Sequence, residues 1–152
     1  MGKTKFWSMN KANNAGEIYI YGDIVSYKWD DSDITAKSFK EDLDAMGDID
    51  TLNIYINSPG GNVFQGQAIY SILKRHKAYK NVYVDGIAAS IASVIAMAGD
   101  AIFVPKNGMM MIHRPWTVAI GNTDDMLAAA ESLEKIGISI KATYMERFKE
   151  SE

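Results

Sequence analysis

Three short stretches of this chain carry residue types that fit together as one piece of chemistry. They are Ser90 in Asp85-Gly-Ile-Ala-Ala-Ser90-Ile-Ala-Ser93, His113 in Met-Met-Met-Ile-His113-Arg-Pro-Trp, and the turn Asn57-Ser-Pro-Gly60-Gly61-Asn62. Acyl transfer needs a nucleophile, a base and donors for a developing oxyanion, and these stretches offer a serine, a histidine and glycine N–H groups. The chain has 2 histidines, so the choice of base is narrow. The combination implies a serine hydrolase and, within that class, a peptidase.

Each of these residues also has a plainer reading. A serine opening a helix is often an N-cap, and Pro-Gly-Gly is ordinary loop chemistry. Position argues for more. The glycine turn follows a strand and opens a helix, where N–H groups are exposed and glycine lets a substrate backbone approach. Ser90 precedes an unusually apolar helix, and the Ile91 amide next to it is the natural second oxyanion donor beside Gly61. Ser93, the competing hydroxyl, lies one turn further in and suits a packing role with a bond to a backbone carbonyl. His113 follows an apolar run, and Pro115 fixes the chain just after it. His76 sits among Lys74, Arg75 and Lys77 at what reads as a solvated helix end, where cations disfavour the imidazolium a base must become. His113 is the better base.

The elements that must position these groups alternate. Glu17–Tyr21 reads as a strand ended by Gly22, and 27–33 as a loop. Residues 35–46 read as a helix with Ala36, Phe39, Leu43 and Met46 on one face, stopped by Gly47. A strand at Leu52–Asn57 runs into the turn. From Asn62 a helix places Phe64, Ala68, Ile69, Ile72 and Leu73 inward. Val82–Val84 is a strand broken by Gly86, and Ser90–Ala98 a buried helix closed by Gly99. Short strands are expected at Ala101–Val104, Met109–Ile112 and Trp116–Ile120. A long helix runs from Thr123 to Phe148, with Met126, Ala130, Leu133, Ile140, Tyr144 and Phe148 along one seam and Leu127, Ile136 and Ile138 off it. Asp124 and Asp125 fall in its first turn, where capping is their expected role. This order defines an α/β fold, with residues 1–16 as a polar N-terminal segment and 17–152 as one domain.

Composition sets the frame. A length of 152 residues with 47% hydrophobic and 23% charged residues is ordinary for a globular domain. A net charge of −3 argues against a nucleic-acid surface. The absence of cysteine excludes disulfides and thiolate metal sites and favours a cytoplasmic setting. The longest apolar stretch, Ile87–Ala98, is too short to span a bilayer. No cofactor or metal is expected.

At Ile56-Asn-Ser-Pro-Gly-Gly-Asn-Val63, Gly86-Ile-Ala-Ala-Ser90 and Met111-Ile-His113-Arg-Pro115 the chain resembles the proteolytic subunits of the Clp protease family, peptidase family S14. The passages 62–70, 92–100 and 110–116 look most like the phage and prophage branch, the Clp-like head maturation proteases. The resemblance implies a crotonase-like spiral of ββα units, a Ser-His-Asp triad and ring assembly. It implies Ser90 as nucleophile, His113 as base, and the amides of Gly61 and Ile91 as the oxyanion hole. No position matches the family's triad Asp, which is expected beyond Glu152, so the domain reads as C-terminally truncated. Residues 1–16 do not resemble the family's ATPase-docking segment, which speaks against an unfoldase partner. The leading function is thus a serine endopeptidase acting through an acyl-enzyme, as a homo-oligomer. The missing acid motivates a second reading, a catalytically impaired assembly or scaffolding relative. A third, a crotonase-type acyl-CoA enzyme using the oxyanion hole alone, is opposed by the serine–histidine pair.

Overall fold

The computed structural model describes residues 4–27 and 34–149. The order of elements is β1 (Trp7–Ala12), β2 (Ala15–Tyr21), α1 (Ala36–Ala45), β3 (Thr51–Ser58), α2 (Val63–Arg75), β4 (Tyr79–Ala89), α3 (Ile91–Ala96), β5 (Ala101–Phe103), β6 (Met109–Met111) and α4 (Thr123–Lys149). It is a mixed α/β fold. The chain forms two compact units, Met1–Ile112 and His113–Glu152.

The first unit is built on one sheet in the order β1-β2-β3-β4-β5, with β6 also pairing β4. β1 runs antiparallel to β2, and the other pairings are parallel. Alternation in β2, in β3 and in β4 as far as Asp85 gives the sheet two unlike faces. In register, Ile18, Ile54 and Val82 form one row and Ile20, Ile56 and Val84 the next, all buried. On the opposite face Tyr19, Tyr55, Tyr83 and Phe103 stack across four strands with ring centroids 4.7, 5.2 and 4.9 Å apart.

The helices start and stop by local chemistry. Thr35 and Ser38 form a capping box at the start of α1. Gly47 follows its end with φ +67°, and Lys11 Nζ donates to the carbonyls of Met46 and Asp48. Asn62 Oδ1 accepts from Gln65 N–H to open α2, which buries Gly66, Ile69 and Leu73. Every residue of α3 is buried. At the far end of α2, buried Lys80 donates to the carbonyls of His76 and Ala78 and pairs with Asp100 at 3.2 Å. Burial pushes the Asp100 carboxyl up, but the bonds from the Lys80 N–H and ammonium outweigh it and hold it below its usual range.

Several expectations are corrected. Phe64 is exposed, because Gly66, Ile69 and Leu73 form the inward stripe of α2 and Phe64 falls outside it. β4 passes through Gly86 to Ala89 as a bulged strand instead of ending there. Residues 116–120 are not a strand: the alternation of Trp116, Val118 and Ile120 has no ladder to join, and all three are exposed. In α4, Leu133, Ile136, Ile140 and Tyr144 are half-buried while Met126, Ala130 and Phe148 are exposed, so the seam is rotated to include Ile136. The expected loop at 27–33 lies outside the described residues except for Tyr27, which bridges to Ile34. Among the described residues no helix is long and apolar enough to cross a membrane.

The polar-looking N-terminal stretch supplies an element that its composition hides. β1 pairs with β2 from Trp7↔Ile20 to Ala12↔Ala15. Phe6 and Trp7 are buried, Trp7 packs edge-on against Phe39 of α1, and its Nε1 donates to Asp42 at 2.7 Å. Trp7→Ala is therefore expected to destabilise the protein by about 3–5 kcal/mol, measured by urea unfolding. A change within about 0.5 kcal/mol would show that β1 is dispensable.

Candidate active site

Strand β4 ends at Ala89 and α3 begins at Ile91, leaving Ser90 alone at the junction. Its backbone adopts φ +54°, ψ −129°, and its side chain makes no capping bond to α3. A non-glycine residue at positive φ costs on the order of 1–3 kcal/mol and persists only when its surroundings enforce it. The surroundings do so here. Ser90 N–H donates to Met111 C=O at 2.8 Å, and its C=O accepts from both the N–H and the Oγ of Ser93. Ser93 is fully buried and engaged in that bond, whereas Ser90 is only half-buried. A sharp strand-to-helix turn of this kind raises a serine Oγ out of the backbone around it.

The glycine turn is pressed against this serine. A Cβ placed on Gly60 would fall 2.6 Å from Ser90 Cβ and 2.8 Å from the Ala89 carbonyl oxygen. Gly60 and Gly61 have φ of +99° and +142°, values open to glycine and strained for any other residue. Ser58 Oγ accepts from Gly60 N–H at 3.1 Å. The Gly61 segment bridges to Ile24 through Ile24 N–H to Gly60 C=O and Asn62 N–H to Ile24 C=O, so the Gly61 N–H is not used in that bridge. The Ile91 N–H, first in α3, has no acceptor within its own helix. Ser90, Gly60 and Ile91 thus meet on the first unit, with Gly61 next in the chain after Gly60.

His113 opens the second unit, in irregular, exposed backbone. Two residues on, Pro115 packs against α4 where Gly137 leaves room: a Cβ there would touch the proline ring at 3.7 Å. Asn122 and Asp125 form a reciprocal pair at the start of α4, each side chain accepting from the other's N–H. The Asp125 carboxylate is thereby engaged as a cap. Among the described residues no group of three or more His, Cys, Asp or Glu is arranged to hold a metal ion.

His76 is half-buried, not solvated. Its Nδ1 accepts from Ala78 N–H at 3.2 Å. Burial first, and then the nearby Lys80 and Lys77 cations, push its pKa below the ordinary value. Sequence reasoning found the repulsion and missed the burial. It also missed Gly60 as the glycine that meets Ser90, and the Met111 carbonyl that holds the Ser90 amide. Only the spacing of the motifs hinted at either.

These features can be set beside known proteins. The sequence pattern of the Clp protease family matches residues 4–152. The chain is 41% identical over 95 residues to a protein of Ligilactobacillus salivarius, covering 61% of this chain and 48% of that one. It is 39% identical over 97 residues to one from Streptococcus mutans (61% and 50%) and 36% identical over 97 residues to one from Deinococcus radiodurans (62% and 47%). All three bear the name ATP-dependent Clp protease proteolytic subunit. This chain belongs to the Clp protease family, and it spans about half the length of these relatives.

The depressed His76 has a sign that can be checked. Because its folded-state pKa lies below the unfolded value of about 6.5, its contribution to stability is complete above that pH and is lost as pH falls toward the folded value. NMR titration of the imidazole is expected to give a midpoint below 6.5, and Lys80→Met to move it part of the way back. A midpoint at or above 6.5 would contradict the described environment.

Proposed function

We propose that this chain is a serine endopeptidase of the Clp type, with Ser90 as nucleophile and His113 as general base. The strained backbone of Ser90 at the β4–α3 junction, with the Gly60-Gly61 turn against it, carries the reading. In this mechanism Ser90 Oγ attacks the peptide carbonyl carbon while His113 takes the hydroxyl proton. The oxyanion accepts from the N–H groups of Gly61 and Ile91. Collapse breaks the C–N bond, His113 gives its proton to the leaving amine, and an ester on Ser90 remains. Water, deprotonated by His113, then hydrolyses that ester. The name that the relatives share supports the peptidase class. The serine–histidine pair favours peptide hydrolysis over a crotonase-type reaction on a CoA thioester. No residue is assigned as the triad acid.

The passages 62–70, 92–100 and 110–116 favour the phage and prophage branch as a narrower placement, while the relatives described above carry the other name. A cytoplasmic setting fits a chain without cysteine. A fluorophosphonate is expected to label Ser90, with labelling abolished in Ser90→Ala, retained in Ser93→Ala, and lowered by several orders of magnitude in His113→Ala. His76→Ala should leave the rate nearly unchanged. Labelling lost in Ser93→Ala but kept in Ser90→Ala would overturn the assignment, and so would equal losses from the two histidines.

Self-association into a homo-oligomer belongs to the same reading. Trp116, Val118, Ile120, Leu127, Ile138 and Phe148 of the second unit are all exposed, and an apolar set of that size favours a burial partner. Sedimentation velocity over a range of concentrations is expected to show oligomers that weaken in Trp116→Asp and Leu127→Asp. A strictly monomeric protein at high concentration would refute it.

A further inference from the structure

The ladder between β3 and β4 is regular from Thr51↔Tyr79 to Ile56↔Val84 and then resumes at Ser58↔Ala88. One residue of β3, Asn57, therefore faces three of β4: Asp85, Gly86 and Ile87. Such a bulge leaves backbone groups without ladder partners and re-aims the strand beyond it. Side chains hold this one at both ends. Tyr21 Oη donates to Asp85 Oδ2 at 2.5 Å, and Ile87 N–H donates to Asn57 Oδ1 at 3.3 Å. Between them, a Cβ on Gly86 would come within 2.6 Å of Asn57 Oδ1, so the amide lies directly on the glycine. Asn57 is itself anchored, since its C=O accepts from Gly22 N–H at 3.0 Å.

The candidate site lies immediately beyond the bulge. Ile87, Ala88 and Ala89 pair with Met109, Met110 and Met111, and the next residue is Ser90, whose N–H continues to the Met111 carbonyl. The register chosen at the bulge is thus the register in which Ser90 emerges beside Gly60. A slip of one residue would exchange the faces of Ala88 and Ala89, both now buried, and would carry Ser90 off the glycine turn.

We propose that Asn57 is a positioning residue for the nucleophile: its side-chain amide, seated on Gly86 and accepting from Ile87 N–H, fixes the bulge that aims Ser90. The proposal rests on the reading of Ser90 as nucleophile. Asn57 touches no reacting atom and acts through β4 alone. The conservative replacement Asn57→Asp keeps the acceptor oxygen; Asn57→Ala removes it; Gly86→Ala displaces it.

The test uses the full chain and two readouts: the second-order rate of Ser90 modification by a fluorophosphonate, and amide hydrogen exchange along β3 and β4. Asn57→Ala is expected to slow labelling roughly 10- to 100-fold, the scale of a small misplacement of a reacting group. It should also speed exchange at residues 87–90 while leaving 52–56 protected. Gly86→Ala should reproduce both effects, and Asn57→Asp should restore wild-type behaviour in both. Unchanged exchange at 87–90 in Asn57→Ala, failure of Asn57→Asp to restore it, or loss of protection throughout β3 would overturn the proposal. Wild-type protein that is not labelled at Ser90 would instead overturn the hydrolase reading, and exchange alone would then decide the role of Asn57.

Discussion

The positive φ of Ser90 is the constraint around which the first unit is organised. An L-residue does not rest at +54° unaided, so the fold must supply more than it costs. It does so from three directions: the hydrogen bond from the Ser90 N–H to the Met111 carbonyl of β6, the fully buried α3 that continues the chain, and the glycine turn that leaves no space on the other side. The hydrogen bond does not suffice by itself, because a single neutral one contributes only about 0.5–1.5 kcal/mol net. The larger share comes from α3. Its Ile91, Val94 and Ile95 are each exposed by 2% or less, and burying one such side chain contributes about 1.5–3 kcal/mol.

That helix can be buried only because its neighbours make room. Gly66 of α2 has no side chain where Ile91 lies, so α2 and α3 approach closely. Lys80 closes the opposite end of α2 by taking up the carbonyl of its C-cap, His76, together with that of Ala78 just beyond. A lysine so deeply buried would be costly without partners; here two carbonyls and the Asp100 carboxylate receive its donors. The aliphatic face of the sheet and its three helices thus form a rigid support, and the strained turn sits at its edge.

Much of this was legible in the sequence. The helix starts at Thr35 and Asn62, the Gly47 stop, the alternating strands and the apolar helix after Ser90 each follow from local rules. What stayed hidden has a common cause. β1 is polar because it lies at the edge of the sheet, and only Phe6 and Trp7 reach the core, so no alternation reveals it. Gly86 reads as a strand breaker because glycine in a strand has two meanings, an end or a bulge, and only the partner strand tells them apart. Trp116–Ile120 shows the converse: alternation without a neighbour to pair with is not a strand. The candidate nucleophile and its glycine turn could be picked out by type and spacing, but the contact between Gly60 and Ser90 is long-range, and no window of sequence contains it.

The two glycines of the turn divide their work, and this explains why both are needed. Gly60 is required for space: its Cα faces Ser90 and Ala89, and its N–H is held by Ser58. Gly61 is required for direction. At φ +142° it threads past Ile24, whose amide and carbonyl grip the residues on either side of it. A Cβ at 61 would collide with the Ile24 backbone, so the bridge could not form around any larger residue. Fixing the neighbours while leaving the amide between them out of the bridge is what an anion site requires, since donors oriented before reaction need no reorganisation during it. The same bridge ties the turn to the segment following β2. One short loop, held by Ile24 and Ser58 and closed by Ser90, therefore couples three strand ends.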